Sequence, residues 1–205
     1  IESGRRRKRG LGENGDKVQV QWSPSGVAIA TLNEYVNGTE QRVFPLGIRG
    51  ENFKQMFVNG RLFEYKWTPD GRQMAYNVYN AQSNYKPELF IVDALGDDIG
   101  KNRKDTGLQT WIEKCGYNRS GTSLYCAVPQ SLPEGAGIEP NIANDIADDI
   151  YKIDLQTGAK TKIAEPTDAT GIMEYTISNL MVSADEKYIY FTDKNDQSIR
   201  SVRLK

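Results

Sequence analysis

Histidine is absent from this 205-residue chain, and cysteine occurs only twice. The first absence removes the usual general base, the Ser-His-Asp and Cys-His arrangements, and the commonest transition-metal ligand. With two thiols and no imidazole, a structural zinc site lacks ligands. No apolar run approaches the ~20 residues that cross a bilayer as a helix, so no membrane span is expected. No signal peptide is visible in these residues, and a first residue of Ile1 rather than Met leads us to expect a processed form or a fragment.

What is present is polar and rich in tyrosine. Hydrophobic residues make up 38% of the chain, and 11 Tyr outnumber 6 Phe and 3 Trp. That balance suits many short, half-buried strands around one all-β core. The net charge of −1 is unevenly placed: Arg5, Arg6, Arg7, Lys8 and Arg9 oppose only Glu2 in the first ten residues. Such a run can meet nucleic acid, an anionic membrane surface or a protease, but its composition reads as a basic, Gly-rich flexible tail over residues 1–15. The acidic remainder, residues 16–205, is expected to bind no nucleic acid.

A phrase recurs in that remainder. Gln21-Trp22-Ser23-Pro24-Ser25-Gly26 returns as Lys66-Trp67-Thr68-Pro69-Asp70-Gly71, each time followed by an apolar strand. Looser copies begin at Cys115 and Val182, so Trp22, Trp67, Cys115 and Val182 are expected at equivalent positions. Each copy reads as strand, tight turn, strand, and a long-period repeat of this kind signals radial or stacked units. Four units follow, approximately 18–58, 62–108, 111–164 and 177–205. Four strands per unit predict an all-β fold, a β-propeller of four-stranded antiparallel blades. A two-sheet sandwich is the competing architecture. The fourth unit has residues for three strands only. Two readings stay open: a complete four-bladed ring, and the C-terminal part of a larger one.

Cys115 and Cys126 are symmetric about Ser120-Gly121 on the two arms of one hairpin. Facing each other across paired strands, where Cα atoms approach to ~4.5 Å, they are a disulfide candidate; two buried free thiols are the alternative. The longest interruption of the repeat, 129–148, carries Glu134, Glu139, Asp145 and Asp148, with Asp149 just beyond, and no Lys or Arg. Pro133, Gly135, Gly137 and Pro140 predict an irregular loop that adds little to the core. Its oxygen-rich composition suits Ca²⁺, but Asp145-x-x-Asp148-Asp149 lacks the regular spacing of a calcium loop. No cofactor or metal is therefore expected, Ca²⁺ being the alternative. Propeller geometry should bring the loops between second and third strands onto one face, gathering Tyr35, Asn84, Tyr85, the insertion and residues 193–196 as candidate partner-binding groups. Deleting Glu134 to Ala147 is expected to spare the fold.

Trp22-Ser23-Pro24-x-Gly26 with its following Ile29-Ala30 strand, and Leu89-Phe90-Ile91-Val92-Asp93-x-x-Gly96, resemble the WD-like repeat of TolB-type β-propellers. The resemblance covers residues 18 to 204 and is strongest in the second unit. The stretches from Cys115 to Pro129 and Asp148 to Gly158 are similar to envelope propellers of small-genome bacteria. The third and fourth units depart from the pattern, lacking its Trp and Pro. The resemblance implies an extracytoplasmic location, periplasmic or at the cell surface. It also implies a non-enzymatic role, binding a protein or cell-envelope polymer through loops on one face. A propeller hydrolase or lyase using carboxylates, and a purely structural segment of a larger envelope protein, are the alternatives.

Overall fold

A computed structural model describes residues 18–26, 28–47, 51, 53–171 and 174–204. The basic tail lies outside them. Sheet A contains β1 (Val18–Val20), β2 (Ala28–Tyr35), β3 (Glu40–Gly47) and β4 (Met56–Asn59). Sheet B contains β5 (Arg61–Trp67), β6 (Gln73–Tyr79), β7 (Glu88–Asp93) and β8 (Lys104–Asp105). In sheet C, β9 (Cys115–Tyr117), β10 (Ser123–Pro129), β11 (Asp148–Asp154) and β12 (Lys160–Ala164) pair in sequence order. Sheet D has three strands, β13 (Ile177–Val182), β14 (Tyr188–Asp193) and β15 (Ile199–Arg203). Every pairing is antiparallel between sequence neighbours.

The repeated phrase is a repeated turn. Ser23, Thr68, Asn118 and Ser183 each donate their backbone N–H to the carbonyl five residues on, at 2.8–3.0 Å. Each also accepts from the N–H three residues on, that of Gly26, Gly71, Gly121 or Glu186. Those last residues all have positive φ, 72°, 69°, 69° and 56°, which explains the glycine in three copies of four. A hydroxyl or amide at the first turn position bonds the side chain two residues later, as in Thr68 Oγ1 to Asp70 Oδ1 at 2.7 Å. This alignment corrects one expectation. Tyr117, paired with Leu124, occupies the place of Trp67, paired with Met74; Cys115 sits two residues earlier. The turn sets the register: Tyr117 directly precedes the 118–121 turn as Trp67 precedes the 68–71 turn. Cys115 lies at the start of its strand, after the 3-10 turn of Ile112–Lys114.

The core lies between sheets, not within one sandwich. One apolar cluster joins sheets A and B through Val43, Met56, Phe63, Tyr65, Trp67 and Phe90. A second joins B and C through Ala75, Leu89, Ile91, Cys115, Leu124 and Ile153. A third joins C and D through Tyr125, Ile150, Ile177, Ile189 and Phe191. Three interfaces for four sheets make an open arc of blades, and among the described residues no apolar cluster joins sheet D to sheet A. First strands meet at the inner edge of the arc: Lys66 Nζ of β5 donates to Cys115 O at 2.7 Å. A Cβ at Gly116 of β9 would stand 2.6 Å from Leu180 O of β13, so only glycine permits that approach.

Candidate functional site

Cys115 and Cys126 are directly opposed across β9 and β10, with Cα atoms 4.1 Å apart, and their sulfurs are joined in a disulfide. The bond is wholly buried between sheets B and C. It is a structural staple, away from the loops considered next.

Those loops form one continuous face. The segment between β10 and β11 is irregular, with a single 3-10 turn at Pro140–Ala143. It is not the weakly attached loop its composition suggests. Leu132, Ala136 and Ala143 bury themselves with Trp111, and Ile146 packs against them. Gly135 N and Gly137 N donate to Asn84 O and Tyr85 O of the sheet B loop, at 3.0 and 2.7 Å. Asn84 and Tyr85 hold left-handed φ of 53° and 54°, which turns both carbonyls toward the insertion. A Cβ on Gly137 would meet the Tyr79 ring at 2.7 Å, so the insertion lies flat on sheet B. On the sheet D side, Thr176 Oγ1 donates to Ile146 O at 3.0 Å and Lys194 Nζ to Asn144 Oδ1 at 3.4 Å. Deletion of 134–147 would strip a small core, which corrects the expectation that the fold would be spared.

The predicted carboxylates separate into two groups. Glu134, Glu139 and Asp145 are exposed on the insertion. Asp148 points inward. Its two oxygens accept Lys114 Nζ at 2.7 and 2.6 Å, both side chains being almost wholly buried, and Oδ2 also accepts Ile177 N at 2.7 Å. Asp148 therefore clamps the insertion's end to both sheets C and D and presents nothing to solvent. Burial lowers the Lys114 pKa and raises that of Asp148, each opposed by the partner's charge. Asp149 pairs with Lys162 at 3.2 Å. Sequence spacing could not reveal this, because the cations lie outside the loop: Lys114 comes 34 residues before Asp148. Among the described residues no three Asp, Glu or Cys side chains converge as a metal site requires.

The structure brings Tyr35 and Tyr85 to one cleft. It has a volume of about 300 Å³ and is lined by Gly38, Thr39, Arg61, Tyr79, Asn80, Ala81, Tyr85 and Ile138. Tyr35 borders it through Arg61, whose guanidinium carbon lies 5.8 Å from the Tyr35 ring centroid. Arg61 Nε donates to Gly38 O at 2.7 Å. Tyr79 has a raised pKa, from burial first and then the adjacent Tyr35, with Arg61 opposing. Tyr35, Tyr85 and Ile138 are 60%, 39% and 58% exposed around the opening. Arg61, Tyr79 and Ile138 carry no motif; only the packing of two loops from sheets A and B under the insertion assembles them. The predicted acidic 193–196 loop sits at the far end of the same face, where Asp193 is buried and Asp196 pairs with Arg200.

No protein-family model and no curated protein matches the chain. Solved structures do. TolB from Acinetobacter baumannii superposes with a TM-score of 0.53 at 13% identity, over 91% of this chain and 43% of that one. The putative TolB from Agrobacterium tumefaciens gives 0.51 at 18% identity, over 91% and 58%. An oligogalacturonate lyase in complex with manganese gives 0.55 at 12% identity, over 95% and 55%. The chain has the fold of these β-propellers and spans about half the length of each. Similarity at this level carries fold and not activity.

Proposed function

We propose that this propeller segment is a non-enzymatic, extracytoplasmic binding module that engages a protein or cell-envelope polymer through the face built by the 35–39, 80–86 and 130–147 loops. One observation carries the reading. The insertion is bonded to neighbouring loops and has its own buried cluster, yet Tyr35, Tyr85 and Ile138 stay exposed around a cleft. Exposed aromatic and aliphatic groups on a rigid support are the composition of an interface centre. The buried disulfide suits an oxidising compartment, and the TolB-type resemblance supports the same location. Glu134, Glu139 and Asp145 are exposed on the insertion, so binding should weaken as salt rises. The test uses the immobilised protein against fractionated envelope extract and purified envelope polymers. The double variant Tyr85→Ala/Ile138→Ser should lose the ligand at unchanged melting temperature; full retention overturns the reading.

A competing enzymatic reading rests on a different cleft. About 430 Å³ opens between sheets B and C, lined in part by Glu88, Asp105, Gln130, Tyr151 and Lys160. Burial raises the Glu88 pKa, the Asp105 charge raises it further, and Arg103 opposes. Two carboxyl groups sharing one cleft, one of them with a raised pKa, are the arrangement hydrolytic acid–base chemistry uses. Turnover of any acidic or neutral glycan that disappears in Glu88→Gln would favour this reading over the first.

A further inference from the structure

The binding cleft holds a cation, Arg61, that no described residue neutralises. Arg61 opens β5 and is anchored at one point, through Nε to Gly38 O at 2.7 Å. Among the described residues no carboxylate lies within ion-pair distance of it. The acidic insertion beside it does not supply one: Glu139 Oε1 instead accepts Asn141 Nδ2 at 2.8 Å. An arginine held by Nε and by a tyrosine face keeps both terminal amino groups for a planar anion, which it can grip with two parallel hydrogen bonds.

The surroundings narrow the anion. Ile138 and Ala81 line the same cleft and favour an apolar group beside the anion, while Thr39, Tyr79, Asn80 and Tyr85 offer hydrogen bonds that a peptide backbone can use. A volume of about 300 Å³ is at the small end for ligand sites and suits one or two residues of a chain. The insertion that supplies Ile138 exposes Glu134, Glu139 and Asp145 and carries no Lys or Arg, which disfavours a densely anionic polymer. A single carboxylate next to an apolar side chain, within an otherwise neutral or basic peptide, satisfies all three conditions. We infer that the cleft is a peptide-recognition pocket in which Arg61 binds one carboxylate of the partner while Tyr35, Tyr85 and Ile138 cover the neighbouring apolar residue. This rests on the binding reading above and names the partner chemistry of that site.

Random heptapeptides displayed on phage and selected on the intact protein supply the probes; the enriched peptides are then synthesised and titrated by fluorescence anisotropy. The expected consensus holds one Asp or Glu adjacent to an aliphatic or aromatic residue. Exchanging that acid for its amide should weaken binding at least tenfold on the unaltered protein, a measurement independent of how any variant folds. Arg61→Gln should cost a similar factor, Arg61→Lys should restore part of it, and Ile138→Ser should cost a few-fold. Peptides that compete for this face but are indifferent to the acid-to-amide exchange and to Arg61→Gln overturn the carboxylate assignment and leave the binding reading standing. Enriched peptides insensitive to Tyr85→Ala/Ile138→Ser, or no enrichment at all, overturn both. Arg61-dependent capture of uronic-acid oligomers with no peptide enriched overturns the choice of peptide.

Discussion

The two middle sheets and the two end sheets are built from similar strands and buried very differently. Every residue of β10, Ser123 to Pro129, is buried, and β6 buries five in succession from Met74 to Val78. In sheet D, β14 buries alternate residues and β15 alternates between exposed and half-buried. Hydrophobicity does not decide this. The β14 strand is Tyr-Ile-Tyr-Phe-Thr-Asp, whereas β6 includes Asn77, buried with its Oδ1 accepting Ile112 N at 2.7 Å. The tryptophans make the same point at one turn position. Trp67 packs against sheet A with Nε1 donating to Gln21 O at 3.4 Å; Trp22, preceded by no described sheet, is 58% exposed. Burial in this molecule is conferred by the neighbouring blade.

The comparison breaks most readily at the tryptophans. Trp67→Ala should cost about 3–5 kcal/mol and Trp22→Ala no more than about 0.5 kcal/mol, read from urea unfolding midpoints. Equal losses would mean that Trp22 is covered in solution. The buried pair of Lys114 and Asp148, where sheets C and D meet, sets the next test. Lys114→Met alone strands a buried carboxylate and should cost about 3–5 kcal/mol, whereas Lys114→Met with Asp148→Leu should recover most of it. If the double variant is as weak as the single, the pair is needed for its geometry and not merely for mutual compensation.

Much of this fold is legible in the sequence because its determinants are local. The Ser/Thr-Pro-x-Gly turns, the hairpin symmetry of Cys115 and Cys126, and the three-strand fourth unit all follow from residues within one hairpin or one unit. The expected Cys115 alignment is off by two residues, because the 118–121 turn places Tyr117, not Cys115, beside it. The site is less legible. Tyr35 and Tyr85 were reachable from blade geometry, but Arg61 and Ile138 join them only through inter-blade packing, and Asp148 is withdrawn by a lysine far off in sequence. Local pattern determines blades; the contacts between blades determine the face.

Two smaller effects sharpen the same contrast within the middle sheets. Replacing both Cys115 and Cys126 by alanine removes an 11-residue cross-link and should cost about 2–3 kcal/mol. A loss below about 0.5 kcal/mol would show that stacking on sheet B holds β9 unaided. Tyr76, buried between sheets A and B, has its pKa raised from 10.0 to about 12, chiefly by burial. The folded state keeps this proton longer than the unfolded chain, so its stability is fully present below pH 10 and falls as pH rises through 12. Urea midpoints at pH 9, 10 and 11 should decline in the wild type and decline less in Tyr76→Phe.

The smallest expected effect lies on the far face of sheet D. Met181 stands opposite Tyr190, and Ile199 opposite Thr192, so these side chains share the face turned away from sheet C. Met181 and Ile199 are 63% and 79% exposed, while Tyr188 and Tyr190 stack on each other with centroids 6.3 Å apart. If this face meets only solvent, Met181→Thr and Ile199→Thr remove little buried area, and each should change stability by no more than about 0.5 kcal/mol. Losses above about 1 kcal/mol would require an apolar neighbour over the face in solution, and sedimentation at several protein concentrations would show whether it is a second copy of the chain. Neutral substitutions at both positions would instead leave sheet D as a one-sided blade, whose strands hold their register through the Ile189 and Phe191 face alone.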